Sequence, residues 1–307
     1  MWPEMSQPNA SLRNKADDRG IFEVMGRTLK TARDHFPEYL IEAWALGTFM
    51  LSASTFGVLL FHSASPAAGL GGTARGVLMG IAMGITVILI ITSSWGKRSG
   101  AHFNPAVTLA FYRLGKISGT DSVFYVAAQF AGGLIGILAA WAIFGELLAG
   151  APVNFLITVP GVYGSWAAAA GEFAVAFTQM TVILVVSNSV RWSRFTPFAA
   201  GALIVLYVAV ESPVSGMSMN PARTFASAIF AGHWEGWWVY FIASPTAMLA
   251  AAEIFLRRRG PDGAGCAKLD HTGRSRCIFN CRYRKASVEA IEITKETRTF
   301  KTPAELF

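Results

Sequence analysis

Two tripeptides carry the chemistry that this sequence offers. Asn104-Pro105-Ala106 and Asn220-Pro221-Ala222 are each preceded by Ser-Gly and three further residues, in the stretches SGAHFNPAV from Ser99 and SGMSMNPAR from Ser215. Asparagine ahead of proline reads as a helix N-cap followed by N1, where the missing N–H costs nothing and the fixed φ suits the helix. The side-chain oxygen caps a backbone N–H of the first turn. Either that is its whole task, or the amide NH₂ is also left to donate into open space beyond the helix end. The helix adds partial positive charge at the same point. Three ionisable residues accompany the tripeptides. Glu42 and Glu172 lie inside apolar runs, and Arg223 follows the second tripeptide directly.

These groups need elements to hold them, and the composition says where those elements lie. Of 307 residues 53% are hydrophobic and only 15% charged, with a mean hydropathy of +0.42. A soluble domain carries about 25% charged residues. Six apolar runs are long enough to span a bilayer: 38–61, 74–95, 121–145, 166–188, 195–211 (the shortest) and 236–256. The sequence predicts an all-α membrane protein, with a polar N-terminal segment over 1–37 that has no signal-peptide pattern.

The net charge of +7 does not point to nucleic acid, because 24 of the 26 Lys and Arg residues fall in segments that share one side if the spans alternate. By the positive-inside rule that side is the cytoplasm, and both termini lie there, in the plasma or inner membrane. The cations orient the chain and face the lipid headgroups. Arg75, at the start of the second span, is placed to snorkel to the outer interface.

The chain repeats itself. Aligned on Ser99 and Ser215, the two tripeptide stretches are offset by 116 residues, which also carries Gln129 in the third span onto Pro245 in the sixth. EAWALGTFML from Glu42 and EFAVAFTQMT from Glu172 match in the first and fourth spans. Three spans, a loop and three more spans give two halves, about 38–145 and 166–256, of opposite orientation. The segment after each tripeptide is too short to cross. Each is expected to dip to the midplane as a half-helix from its own face, so that two re-entrant half-helices complete a seventh, broken span. Irregular backbone at that depth must be buried in protein or line a watery cavity.

On these residues, SGAHFNPAV, SGMSMNPAR, Glu42, Glu172, Gln129 and Pro245, the sequence resembles the aquaporin, or major intrinsic protein, family over about residues 38–256. The resemblance implies a passive channel in which Asn104 and Asn220 donate to a passing water oxygen. A water so held turns its hydrogens away from the donors, which opposes proton hopping and cation entry. It further implies that Pro105 and Pro221 fix the first turns, that Ala106 and Ala222 let the helix ends meet, and that the assembly is a homotetramer with one pore per subunit. By the same resemblance Arg223 belongs to an outer constriction, where it donates to solute and repels cations; snorkelling at the outer face is its alternative reading. Counting from the motifs, the other constriction positions are Gly84 (or Met83 if the second span shifts by one), Val208 and Met217. Water-selective members place an aromatic and a histidine at the first two of these. Their absence points to a wider opening that also passes small neutral solutes such as glycerol, urea or hydrogen peroxide. Thr224, where glycerol-type members carry aspartate, argues against a dedicated glycerol facilitator, and flexible Met217 can refill the gap left by Gly84; a solute-selective facilitator of the glycerol or metalloid type is the alternative reading.

Glu42 and Glu172 are costly inside spans unless satisfied. They either accept N–H groups from the irregular loops ahead of the half-helices, the favoured reading, or couple protons as in a secondary transporter. His102 is expected to pack within its loop, with gating as the alternative. Gly47, Gly80, Gly132, Gly133, Gly136 and Gly201 suit close helix crossings. Nothing resembles a nucleophile–base pair or a phosphate loop, and transport needs no cofactor.

The basic tail, 257–307, holds all three cysteines, with a histidine between them: Cys266, His271, Cys277 and Cys281, spaced Cys-x₄-His-x₅-Cys-x₃-Cys. Four such donors could close a tetrahedral zinc site. On the cytoplasmic side a disulfide is disfavoured. Free thiols beside a solvated histidine, or a lipidated cysteine, are the alternatives.

Overall fold

In a computed structural model, residues 10–273 and 275–282 are described, with side chains from residue 23 onward. Six of their helices are long and apolar enough to cross a membrane. The first, α1 (Ala10–Phe61), passes through Pro37 without ending, so the polar segment ahead of the first span is helical from residue 10. The others are α2 (Gly72–Thr92), α5 (Gly119–Phe144), α7 (Gly164–Ser187), α8 (Thr196–Val210, whose span begins in a 3-10 turn at Ser193) and α11 (Trp237–Arg259). Between them lie α3 (Ser94–Ser99), α4 (Pro105–Arg113), α6 (Glu146–Ala149), α9 (Ser212–Ser215) and α10 (Pro221–Ala231).

The packing follows the repeat. Helix α1 lies along α5, α7 lies along α11, and α2 and α8 cross each other at the centre. The short helices cross over: α4 packs mainly on α11 and α10 mainly on α5. Each half therefore supplies the half-helix that fills the other half. Small residues set these distances. A Cβ on Gly132 would stand 2.1 Å from the carbonyl oxygen of Ala43, so any larger residue would drive α5 off α1. On α2, Leu78, Ile81, Ile85 and Leu89 form an exposed stripe while Met79, Met83, Val87 and Ile91 are buried. An outward apolar stripe on so apolar a helix is what a bilayer stabilises.

Candidate functional site

Both short helices begin as their sequences demand. The Asn104 side-chain oxygen accepts from Ala106 N at 2.9 Å, and that of Asn220 accepts from Ala222 N at 3.1 Å and Arg223 N at 3.3 Å. Pro105 and Pro221 occupy the first helical position of each. The two N-termini meet. Asn104 Nδ2 donates to Met219 O at 2.7 Å, and Asn220 Nδ2 donates to Phe103 O at 2.8 Å. The expected free amides are thus half committed: one N–H of each is tied across the junction to the opposite loop, and the second remains. Ala106 and Ala222 are fully buried at this junction.

The loops leading to the caps run through left-handed backbone, which a side chain disfavours. Positive φ recurs at Gly100, Ala101 and Phe103, and 116 residues later at Gly216, Met217 and Met219. The acids explain how such loops persist. Glu42 accepts from Ser99 Oγ (2.8 Å), His102 N (3.1 Å), Phe103 N (2.7 Å) and Gln129 Nε2 (2.8 Å). Glu172 accepts from Ser215 Oγ (2.9 Å), Ser218 N (2.6 Å), Met219 N (2.7 Å) and Ser244 Oγ (2.9 Å). Each carboxylate holds the backbone that cannot bond to itself. Tyrosines brace the same turns, Tyr125 donating to Ser99 O at 2.7 Å and Tyr240 to Ser215 O.

The counterpart of Gln129 is thus Ser244, not Pro245, and Tyr125 matches Tyr240; α5 and α11 repeat at an offset of 115. The helices slip one residue relative to the loops, a shift that the motif alignment hides. His102 is buried, with Nδ1 3.2 Å from Thr108 Oγ1 and Nε2 2.8 Å from Ala267 O. Its counterpart Ser218 pairs with Thr224 at 2.6 Å. Thr224 is therefore a loop brace, as Thr108 is, and is absent from the walls of the cavities described next.

Two cavities flank the junction. One, of about 480 Å³, is walled by Met83, Leu156, Val208, Met217 and Arg223 among others. Arg223 Nη1 is buried there without a hydrogen-bond partner, a donor left for whatever enters. The second, of about 60 Å³, is lined by both asparagines with Val87, Ile91, Val107, Ile183, Met248 and Leu269. Phe49, Ile204 and Ser218 belong to both and mark where the cavities meet.

Of the expected constriction set, Val208, Met217 and Arg223 come together, and Gly84 does not. A Cβ on Gly84 would meet Val205 Cγ2 at 2.5 Å and Gly201 O at 2.7 Å, so this glycine serves the α2–α8 crossing. Met83, the shifted register, lines the cavity instead. Ile204 carried no motif, and Phe49 lies in the matched stretch from Glu42 without being one of its matched residues; only their places on inward helix faces could have marked them. Arg75 lies over the Phe61 ring at 5.6 Å, a cation–π contact.

The tail returns to the same molecule. Cys266, His271, Cys277 and Cys281 present ligand atoms all within 4.8 Å of one another, and the cysteines are not joined by disulfides.

Comparison with known proteins places these features in company. The family described as Major intrinsic protein matches residues 33–253. Aquaporin NIP1-3 of Oryza sativa subsp. japonica is 35% identical over 224 residues, 70% of this chain and 74% of the relative. Aquaporin Z of Photorhabdus laumondii is 31% identical over 216 residues, 66% of this chain and 89% of the relative. Among solved structures, the aquaglyceroporin from Plasmodium falciparum superposes with a TM-score of 0.62 at 20% identity, covering 72% of this chain and 95% of that one, a likeness of fold.

Proposed function

The chain belongs to the major intrinsic protein family, and from that premise we propose that the two cavities beside the Asn104–Asn220 junction form its conduction path. It is an integral, multi-pass membrane protein and a channel for water and small neutral solutes; its family is one of channels, not of enzymes. The observation that carries the assignment is the junction itself. Two capped helix ends, each with an amide N–H to spare, face one passage from opposite sides. A water crossing there accepts from both amides, and with its own hydrogens turned outward it cannot relay a proton through the junction. The dipoles of α4 and α10 hold partial positive charge at the same place and repel cations.

Met83, Val208, Met217 and Arg223 form the selective wall of the larger cavity. One fixed cation in a largely apolar wall favours small neutral solutes over ions, and although Phe49 and Phe61 line the same cavity, none of these four positions carries an aromatic ring or imidazole, which leaves room for solutes larger than water. Glu42 and Glu172 act as struts. All four of their oxygens are committed to loop and helix donors, which leaves proton coupling without a free carboxylate. We assign residues 38–256 to the channel and 257–307 to a cytoplasmic tail, with both termini inside, four chains per assembly, and no nucleic-acid partner. Transport needs no cofactor. The Cys/His cluster of the tail is assigned as a structural metal site, zinc by the chemistry of its donors.

Stopped-flow light scattering on proteoliposomes, with water and glycerol challenges in parallel and the protein both metal-loaded and metal-stripped, tests the assignment. The expected result is water permeation above the empty-vesicle rate without ionic current, together with measurable glycerol entry. A rate equal to empty vesicles for folded protein in every condition overturns it. Water without glycerol, urea or peroxide would restrict the path to a water-only pore.

A further inference from the structure

Residues 260–282 of the tail contain almost no regular secondary structure among those described, yet Cys266, Ala267, Lys268, Leu269, Asp270, Phe279 and Cys281 are buried. So short a segment has too little apolar core of its own to hold one shape. Something must fix it, and the chain carries the means. Cys266 Sγ and Cys277 Sγ stand 3.6 Å apart, and His271 Nε2 lies 3.0 Å from Cys281 Sγ. A tetrahedron with zinc–sulfur bonds of ~2.3 Å has sulfur–sulfur edges of ~3.8 Å. Three thiolates and a neutral imidazole around Zn²⁺ leave one net negative charge. The buried Lys268 ammonium lies beside this cluster, anchored to Ser275 O at 3.2 Å and Arg276 O at 2.7 Å, and balances that charge.

Where the segment sits gives the site its use. It docks on the lead-in loop of α4: Leu269 N donates to Gly100 O at 3.1 Å, His102 Nε2 lies 2.8 Å from Ala267 O, and Phe279 stacks on His102 at 5.6 Å. Other anchors reach the neighbouring loops, Asp270 to Lys97 at 3.5 Å and Gly265 N to Asn188 Oδ1 at 2.6 Å. The side chain of Leu269 is 4% exposed and lines two cavities at once. On one side is the 60 Å³ cavity that contains both asparagines. On the other is a polar cavity of about 170 Å³ lined by Ser187, Ser193, Lys268, His271 and Thr272. Leu269 is the wall between them. Cys266 and His271 bracket it in sequence, so a metal gripping both fixes the loop whose tip is Leu269.

We propose that Cys266, His271, Cys277 and Cys281 bind one zinc ion, and that the metal-folded tail closes the inner mouth of the pore with Leu269, opening when the metal is removed. This rests on the channel assignment above. Apolar closure suffices in principle, because hydrophobic constrictions gate channels by dewetting, and Val87, Ile91, Ile183, Ile204 and Met248 line the same cavity as Leu269.

The test uses the full chain. Metal analysis of protein purified without chelator should give about one zinc per chain, and cobalt substitution should give the thiolate-to-cobalt charge-transfer band of a sulfur-rich tetrahedral site. Cys277→Ser should lose both. In proteoliposomes, a membrane-permeant zinc chelator and Cys277→Ser should each raise water permeability severalfold. Leu269→Ala should raise it while still retaining zinc. Wild-type protein with reduced thiols and no bound zinc overturns the site. Zinc bound, with water passing equally in wild type, chelated protein and Leu269→Ala, overturns the gate and leaves the channel standing. A chain inert to water in every state, Leu269→Ala included, overturns the channel assignment and the gate with it.

Discussion

On one side of the Asn104–Asn220 junction lies a cavity of about 480 Å³, and on the other one of about 60 Å³. The repeat does not account for this difference, since it builds the two approaches alike. Each has a carboxylate with four donors, a serine cap on the loop, a tyrosine on its carbonyl and an asparagine tied across the junction. The sides diverge at the few matched positions whose side chains enter the cavities. Val107 lines the small cavity where Arg223 lines the large one, and Ala101 is buried away from the small cavity where Met217 lines the large one. The tail then adds Leu269 to one side only. Duplication supplied the scaffold, and single positions outside its constraints supplied direction. Four experiments probe that division, from the largest effect to the smallest.

The shared scaffold should fail equally from either half. Glu42→Ala strands the N–H groups of His102 and Phe103, and Glu172→Ala strands those of Ser218 and Met219. A buried unpaired donor costs about 1–3 kcal/mol, so each variant should lose about 4 kcal/mol or more once the side-chain partners are included. Thermal unfolding in detergent should show both variants collapsing, with the Gln replacements milder. One half tolerating the change while the other does not would break the claimed equivalence.

This part of the molecule was legible in the sequence because its chemistry is local: cap, proline and acid lie in short motifs at a fixed offset. The register of α2 was not, because motif counting cannot resolve one residue on a helix where neighbours differ by about 100°. Gly84 and Met83 separate only once Gly201 and Val205 of α8 are seen against Gly84. The slip from Pro245 to Ser244 was hidden for the same reason. The Cys and His cluster of the tail was visible by spacing, whereas Leu269 carried no motif. Its importance comes from the docking of the tail onto Gly100 and His102, a tertiary fact.

The second experiment follows from that register. Gly84→Ala should destabilise by about 2 kcal/mol through overpacking at the α2–α8 crossing, without a change in solute preference. Met83→Ala should leave stability nearer wild type and raise glycerol entry by widening the large cavity. Comparing Tm with glycerol flux for the pair decides between the registers; a loss of glycerol entry in Gly84→Ala, with no gain in Met83→Ala, would restore the first one.

Arg223→Val makes the two sides alike at the position where Val107 already stands. The large cavity then loses its fixed cation. Proton or cation leak should rise about tenfold, equivalent to about 1.4 kcal/mol of barrier, as read by a pH-sensitive dye trapped in proteoliposomes. Unchanged leak would place the exclusion wholly at the asparagine junction.

The smallest effect concerns Glu211, beside the larger cavity at the end of α8. The matching position in the first half is Trp95, which is half exposed, whereas Glu211 is buried with neither carboxylate oxygen hydrogen-bonded. Its pKa is pushed up to about 8 from the ordinary 4.5, first by burial and then by the charge of Glu172. A raised carboxyl pKa in the folded state means that folding favours the proton. Below about pH 4.5 both states hold it and the residue has no linkage effect. Between there and about pH 8 the unfolded chain releases it while the fold retains it, so stability falls as pH rises, and the loss levels off above that range. Glu211→Gln carries no titrating proton. It should match wild type near pH 5 and exceed it increasingly up to pH 9, by on the order of 1 kcal/mol for a buried polar group relieved of charge. Thermal unfolding across pH 5 to 9 measures this. An offset between the two proteins that stays constant with pH would mean that Glu211 is already ionised in the fold, and that the larger cavity has no pH-sensitive neighbour distinguishing it from the smaller one.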